Sequence, residues 1–188
     1  YLQNKSLQGF CRNLTKLTLW HHYTLYIAFL DILGFKEIVK KRGNEYIKDI
    51  FGKIVASREN IKITNKGLDT SLDSVIDNTY IRILSDSIII AIPSRFDISL
   101  VFLCECCRII QSTLLTQNVL LRGGISCGDF YGNEEIMFGK GLVTAYELEN
   151  MAEHPRIIIS PEIVHEYHER VGTSTPIYIT DMIALDYD

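Results

Sequence analysis

The chain predicts a mixed α/β domain of the α+β kind, with a mostly antiparallel central sheet flanked by helices. Three observations carry this. Tyr26 to Leu30 is a nearly continuous apolar run ended by Asp31, the pattern of a strand covered on both faces. Thr79 to Leu84 and Ile88 to Ile92 are two apolar, β-branched runs separated by Ser85-Asp86-Ser87, which predicts a hairpin with an acidic residue at its tip. Ile98 to Leu115 is apolar on most sides at helical spacing, as in a helix buried against a sheet.

The remaining elements follow in order. Leu7, Phe10, Cys11, Leu14 and Leu17 recur at helical spacing, so residues 1–22 form an N-terminal helical arm and 23–188 the main domain. Gly34 permits a tight turn after the first strand. Residues 37–39 and 46–54 are helical in pattern, interrupted at Gly43-Asn44, and residues 61–77 are polar and read as a long connection. Val119 to Cys127 is a strand containing Gly123-Gly124, and a turn-rich stretch follows to Asn133. Gly141 to Met151 is a helix and Ile157 to Ile159 a strand. Pro161 to Arg170 is a helix opening with proline in its first turn, and Ile177 to Thr180 a last strand.

Composition narrows the function classes. The 188 residues, 47% hydrophobic and 22% charged, fit a globular domain with a buried sheet. No apolar run approaches the length that spans a bilayer, and no secretory leader is legible, so a reducing cytoplasm is expected. Five cysteines, of which Cys104, Cys106 and Cys107 crowd one apolar helix while Cys11 and Cys127 stand alone, agree with that compartment. A net charge of −4 argues against a general nucleic-acid binder.

The chemistry-bearing residues are Asp31 and Asp86, which this order of elements places at neighbouring strand ends. Two carboxylates in one site raise each other's pKa unless cations lie between them, so the pair implies metal. Mg²⁺ or Mn²⁺ suits hard oxygen donors and leaves positions for phosphate oxygens. One ion would activate an attacking hydroxyl and the other neutralise a leaving pyrophosphate. The turn Ile32-Leu33-Gly34-Phe35 offers backbone N–H groups at a helix start as a phosphate cradle. Lys36, Lys40, Lys41 and Arg42 follow, as counter-charges or as a solvated helix end. Taken singly, Asp31 also reads as a helix cap and Asp86 as a turn residue.

In this order the motifs resemble the class III nucleotide cyclase catalytic domain, a ferredoxin-like palm. Its F-x-D-[IV]-x-G-F strand is matched by Phe29 to Phe35, its I-G-D-x hairpin by Leu84-Ser85-Asp86-Ser87, and its R-x-G-I-x-x-G by Arg122 to Gly128. Gly139 to Glu149 stands for G-x-x-V-N-x-A-x-R-L-E, and Pro155 to Ser160 for G-x-I-x-x-S. The resemblance implies Asp31, Ile32 and Asp86 as metal-holding positions for two Mg²⁺ or Mn²⁺ per active site. It also implies a nucleoside triphosphate substrate bound by Ile32 to Lys36 and Lys140, and a homodimer with shared active sites.

Two departures matter. Val143 and Glu147 stand where the family usually has Asn and Arg at the transition-state phosphate, a loss that commonly costs ~10²–10³ in rate. Arg122, Arg156 and Lys140 are candidates to replace them, although Arg122 and Arg156 also read as partners of strand-end acids. The base-reading positions fall on Arg82 and Ile136. An arginine without an acidic partner offers donors only, which suits cytosine or uracil, unless Arg82 is a solvent-facing strand residue. The pattern is similar to the pyrimidine cyclases of the bacterial Pycsar antiphage systems, which make cyclic CMP or cyclic UMP as a signal.

The alternative is a catalytically degenerate cyclase-homology domain that binds a nucleotide or partner. A diguanylate-cyclase palm would carry a G-G-[DE]-E-F hairpin, which this chain lacks. His165-x-x-His168 with Glu166 and Glu169 lacks the H-E-x-x-H order of a zinc protease and reads as a solvated face.

Overall fold

A computed structural model describes residues 24–65, 70–95 and 98–171. The expected N-terminal arm and the strand at 177–180 lie outside the described residues. Within them, strand β1 (Thr24–Ile32) is followed by helices α1 (Phe35–Asn65) and α2 (Thr70–Asp77), then the hairpin β2 (Tyr80–Leu84) and β3 (Ser87–Pro93). Helix α3 (Ser99–Leu115) leads to β4 (Leu121–Asp129), β5 (Tyr131–Gly132), β6 (Met137–Phe138), α4 (Lys140–Met151), β7 (Ile157–Ile159) and α5 (Pro161–Val171).

The main sheet has the order β2-β3-β1-β4-β7, antiparallel except for the parallel pair β4 and β7. The first strand therefore lies in the middle, and its apolar sequence follows from that place, since both of its faces are covered. Tyr26, Ala28, Leu30 and Ile32 enter one cluster with Ile88, Ile90 and Ile92, beneath α1, α2 and α3. Leu25 and Ile27 enter a smaller one with Ile89, Ala91, Phe130 and Ala145 of α4. The period-two alternation of the strand sorts its side chains between the two layers.

The predicted sheet and hairpin are present, and three local expectations need correction. Helix α1 runs past residue 54 to Asn65, with its break at Gly43, whose φ of 77° is a conformation glycine reaches without steric cost. The described residues of the expected connection at 61–77 are helical: 61–65 finish α1 and 70–77 supply α2. Leu72, Val75 and Ile76, at i, i+3 and i+4, are buried, so packing holds a short helix that its polar neighbours concealed. The turn-rich stretch after β4 contains the hairpin β5–β6, whose two-residue strands show no sequence period. It is held by the contact of the Tyr131 and Phe138 rings and by Asn133 Oδ1, which accepts the amides of Glu135 and Ile136.

Candidate functional site

Asp31 and Asp86 come together at one end of the sheet. Asp31 pairs in register with Ser87 on β3 and with Arg122 on β4, so the three share a row across the strands. Asp86 occupies the β2–β3 turn beside Ser87, and its carbonyl accepts the Ile32 amide at 2.9 Å, fastening the turn to the end of β1. Ser85, before it, has φ 55°, an uncommon value for a residue other than glycine that tightens this turn. Burial pushes the Asp31 carboxyl above its ordinary pKa, the Asp86 charge pushes the same way, and the Arg122 guanidinium opposes both. The Asp31 carboxylate therefore feels the Asp86 charge.

The donor set fits a divalent cation. Two hard carboxylates converge, and among the described residues no group of three or more His, Cys, Asp or Glu side chains forms a site by protein ligands alone. An ion here would be completed by water and phosphate oxygens, as Mg²⁺ prefers.

The phosphate cradle needs correction in part. The amides of Ile32 and Leu33 are taken by the Asp86 and Leu120 carbonyls, each at 2.9 Å, so neither faces a ligand. Gly34 turns the chain with φ 70° and its carbonyl accepts Glu37 and Ile38. From this turn a phosphate would meet the amides of Gly34, Phe35 and Lys36, which open α1. Lys36 is exposed there. Of the following cations, Lys40 pairs with Glu37 at 3.2 Å and Arg42 lies over the Tyr46 ring at 5.1 Å, both on α1 itself.

Arg122 lies beside acids, in keeping with one of the two readings its sequence allowed. Its Nε lies 2.5 Å from Glu149 Oε1 and 3.6 Å from Asp31 Oδ2. Neither Arg122 Nε nor Glu149 Oε1 completes an aligned hydrogen bond, so the contact is an ion pair. Glu149, on α4, is 2% exposed and escaped the sequence reading. The signal that would have found it is its place at the end of the α4 motif, on the face packed against β4. Gly124 makes that packing close: a Cβ there would stand 2.2 Å from the Ala145 carbonyl and 2.5 Å from Leu148 Cβ.

Arg82 reaches the β5–β6 turn that carries Ile136. Arg82 Nη2 donates to the Glu134 carbonyl at 2.5 Å, and Ile136 is half exposed two residues further on. Arg156 leads into β7, where its carbonyl accepts the amide of Gly123, next to Arg122. Lys140 is exposed at the start of α4, and Val143 and Glu147 are exposed along it. His165 lies 3.6 Å from Glu169 on the solvated side of α5. A groove of about 690 Å³ along α1, lined by Phe35, Val39, Ile47 and Phe51 among others, has no acidic side chain in its lining.

No family model and no curated protein matches the chain. Among solved structures it is similar to the adenylyl cyclase CyaB from P. aeruginosa, at 15% identity over 79% of this chain and 82% of that one, with TM-score 0.47. It is also similar to the guanylyl cyclase Cya2, at 13% identity over 77% and 78% of the two chains, TM-score 0.45. A third is the active GGEEF domain of a diguanylate cyclase from Vibrio cholerae, at 15% identity over 81% and 89%, TM-score 0.45.

Proposed function

We propose that this chain is a nucleotide cyclase domain that converts a nucleoside triphosphate, a pyrimidine one, to a 3′,5′-cyclic nucleotide and pyrophosphate. The observation that carries this reading is the convergence of Asp31 and Asp86 at adjoining strand ends, where the Asp86 charge acts on the Asp31 carboxyl. They are the residues that would hold Mg²⁺ or Mn²⁺. When bound, such ions supply charge neutralisation at the triphosphate and activation of the ribose 3′-hydroxyl. In the reaction that hydroxyl loses its proton and bonds to the α-phosphorus while the bond to pyrophosphate breaks.

The chain's own residues have narrower tasks. The amides of Gly34, Phe35 and Lys36 orient phosphate oxygens. Arg82, steadied by the Glu134 carbonyl, presents its remaining donors to a base edge rich in acceptors. Ile136, Phe138, Val143 and Tyr146 are exposed apolar side chains, which suits the shared active sites of a homodimer. A role of the cyclic product as an antiphage signal rests on the resemblance to the pyrimidine branch.

One observation favours a second reading, a domain that binds nucleotide without turnover. Val143 and Glu147 bring no hydrogen-bond donor to the position where a cyclase stabilises its transition state. Incubating the purified protein with Mn²⁺ and each of the four NTPs, and identifying products by mass, separates the two. We expect cyclic CMP or cyclic UMP, and a preference among bases that Arg82→Ala reduces by at least about tenfold. Preference for a purine triphosphate would end the base assignment. Nucleotide binding without any product would establish the second reading.

A further inference from the structure

Glu149 matches the last position of the α4 motif and has no task in the reading above, yet it is the most deeply buried acidic side chain among those described, at 2% exposure. A carboxylate out of water is sustained only by a partner, and its partner is Arg122. Arg122 stands directly opposite Asp31 in the β1–β4 register, so its guanidinium reaches either acid. It is drawn to Glu149, at 2.5 Å against 3.6 Å for Asp31, without completing an aligned hydrogen bond to Glu149.

We propose that Glu149 is a positioning residue that holds Arg122 back from Asp31, keeping the Asp31 carboxylate available to a divalent cation. The inference rests on the reading of Asp31 and Asp86 as the metal pair. An arginine fork closing on a carboxylate with two parallel bonds occupies the same oxygens a metal needs. With Glu149 charged, the guanidinium has a second carboxylate to satisfy and leans toward it. With Glu149 neutral, Asp31 is the nearest remaining acid, and the cation must displace an arginine to bind. Arg122 thus tempers the charge of the metal pair without competing for it, and the α4 carboxylate sets that balance.

The test is Mn²⁺ binding to the nucleotide-free chain, measured by calorimetry or by the resonance signal of free Mn²⁺, with a melting curve for every variant. Wild type should bind Mn²⁺ and Asp31→Asn should lose that binding. Glu149→Gln should bind about tenfold more weakly. The double variant Arg122→Gln/Glu149→Gln should return to wild-type affinity or better, because the competing cation has gone with its holder. That recovery is what a purely structural glutamate would not produce.

Glu149→Gln binding as wild type does, while Asp31→Asn binds nothing, would overturn the positioning role and leave the metal pair standing. A double variant as weak as Glu149→Gln would overturn it as well. Wild-type binding indifferent to Asp31→Asn would overturn the metal pair and this inference together. If Glu149→Gln does not melt cooperatively, Glu149→Asp takes its place. Its shorter carboxylate should weaken Mn²⁺ binding, with recovery on adding Arg122→Gln, and wild-type affinity in Glu149→Asp would refute the proposal.

Discussion

The two faces of the central sheet are built from alternate residues of the same strands and are put to different uses. On one face Tyr26, Ala28, Leu30 and Ile32 lie beneath α1, α2 and α3 in a large, wholly apolar cluster. On the other, Leu25 and Ile27 begin an apolar patch under α4, but the same file of β1 side chains ends in Asp31, beside Arg122 and below Glu149. Stability is concentrated on the helix-covered side. The face with less cover can carry charge, because its residues need only be held in place by a neighbour that is already stable.

That contrast breaks most sharply at two consecutive residues. Asp31→Asn should remove all detectable cyclic product. It should leave the melting temperature of the metal-free protein unchanged or slightly higher: the Asp31 carboxyl is held above its ordinary pKa, so its ionisation opposes folding as pH rises through that raised value. Leu30→Ala, one position earlier and fully buried on the other face, should cost about 2–5 kcal/mol in denaturant unfolding, from the lost transfer free energy and the cavity left behind. Wild-type turnover in the first, or wild-type stability in the second, would erase the distinction between the faces.

Gly124→Ala tests how the less-covered face keeps its helix. The new methyl would meet backbone and Cβ atoms of α4, which cannot swing aside, so we expect a loss of about 1–3 kcal/mol together with reduced turnover as α4 shifts. The smallest effect belongs to the solvent side of α3. There Arg108 hydrogen-bonds Glu105 and holds its carboxyl below the ordinary range, so the pair's contribution is present above that range and lost as pH falls through the lowered value. Glu105→Gln should change stability by less than about 1 kcal/mol at neutral pH, since an exposed pair is screened by water and salt.

Much of this was legible in the sequence because it is written in short-range pattern. The apolar run ending at Asp31 is β1, the Ser85-Asp86-Ser87 tip joins β2 to β3, and Pro161 opens α5, each within two residues of the reading. Helix α2 escaped because its three buried side chains lie in a polar stretch whose only reward for folding is tertiary. The β5–β6 hairpin escaped because two residues have no period. Asp31 and Asp86 were legible as acids at strand ends, and their convergence came from the order of elements. Glu149 was not, because one glutamate among α4's polar residues looks solvated until Gly124 is seen to let that helix lie close on β4.

The central place of β1 in the sheet also sets a timetable for the chain during synthesis. Its two neighbours are β3 and β4, and Asp31 meets Arg122 only about ninety residues later. At a translation rate of roughly 5–20 residues per second, the apolar strand must wait on the order of 5–20 s for its second partner to emerge. During that interval Leu25 to Leu30 is an incompletely paired, β-prone segment with no charge of its own, the kind of stretch that chaperones bind and that aggregates when they do not. The first charge to interrupt it is Asp31, so the residue that would hold the metal in the finished protein also marks the end of a vulnerable segment while the chain is being made.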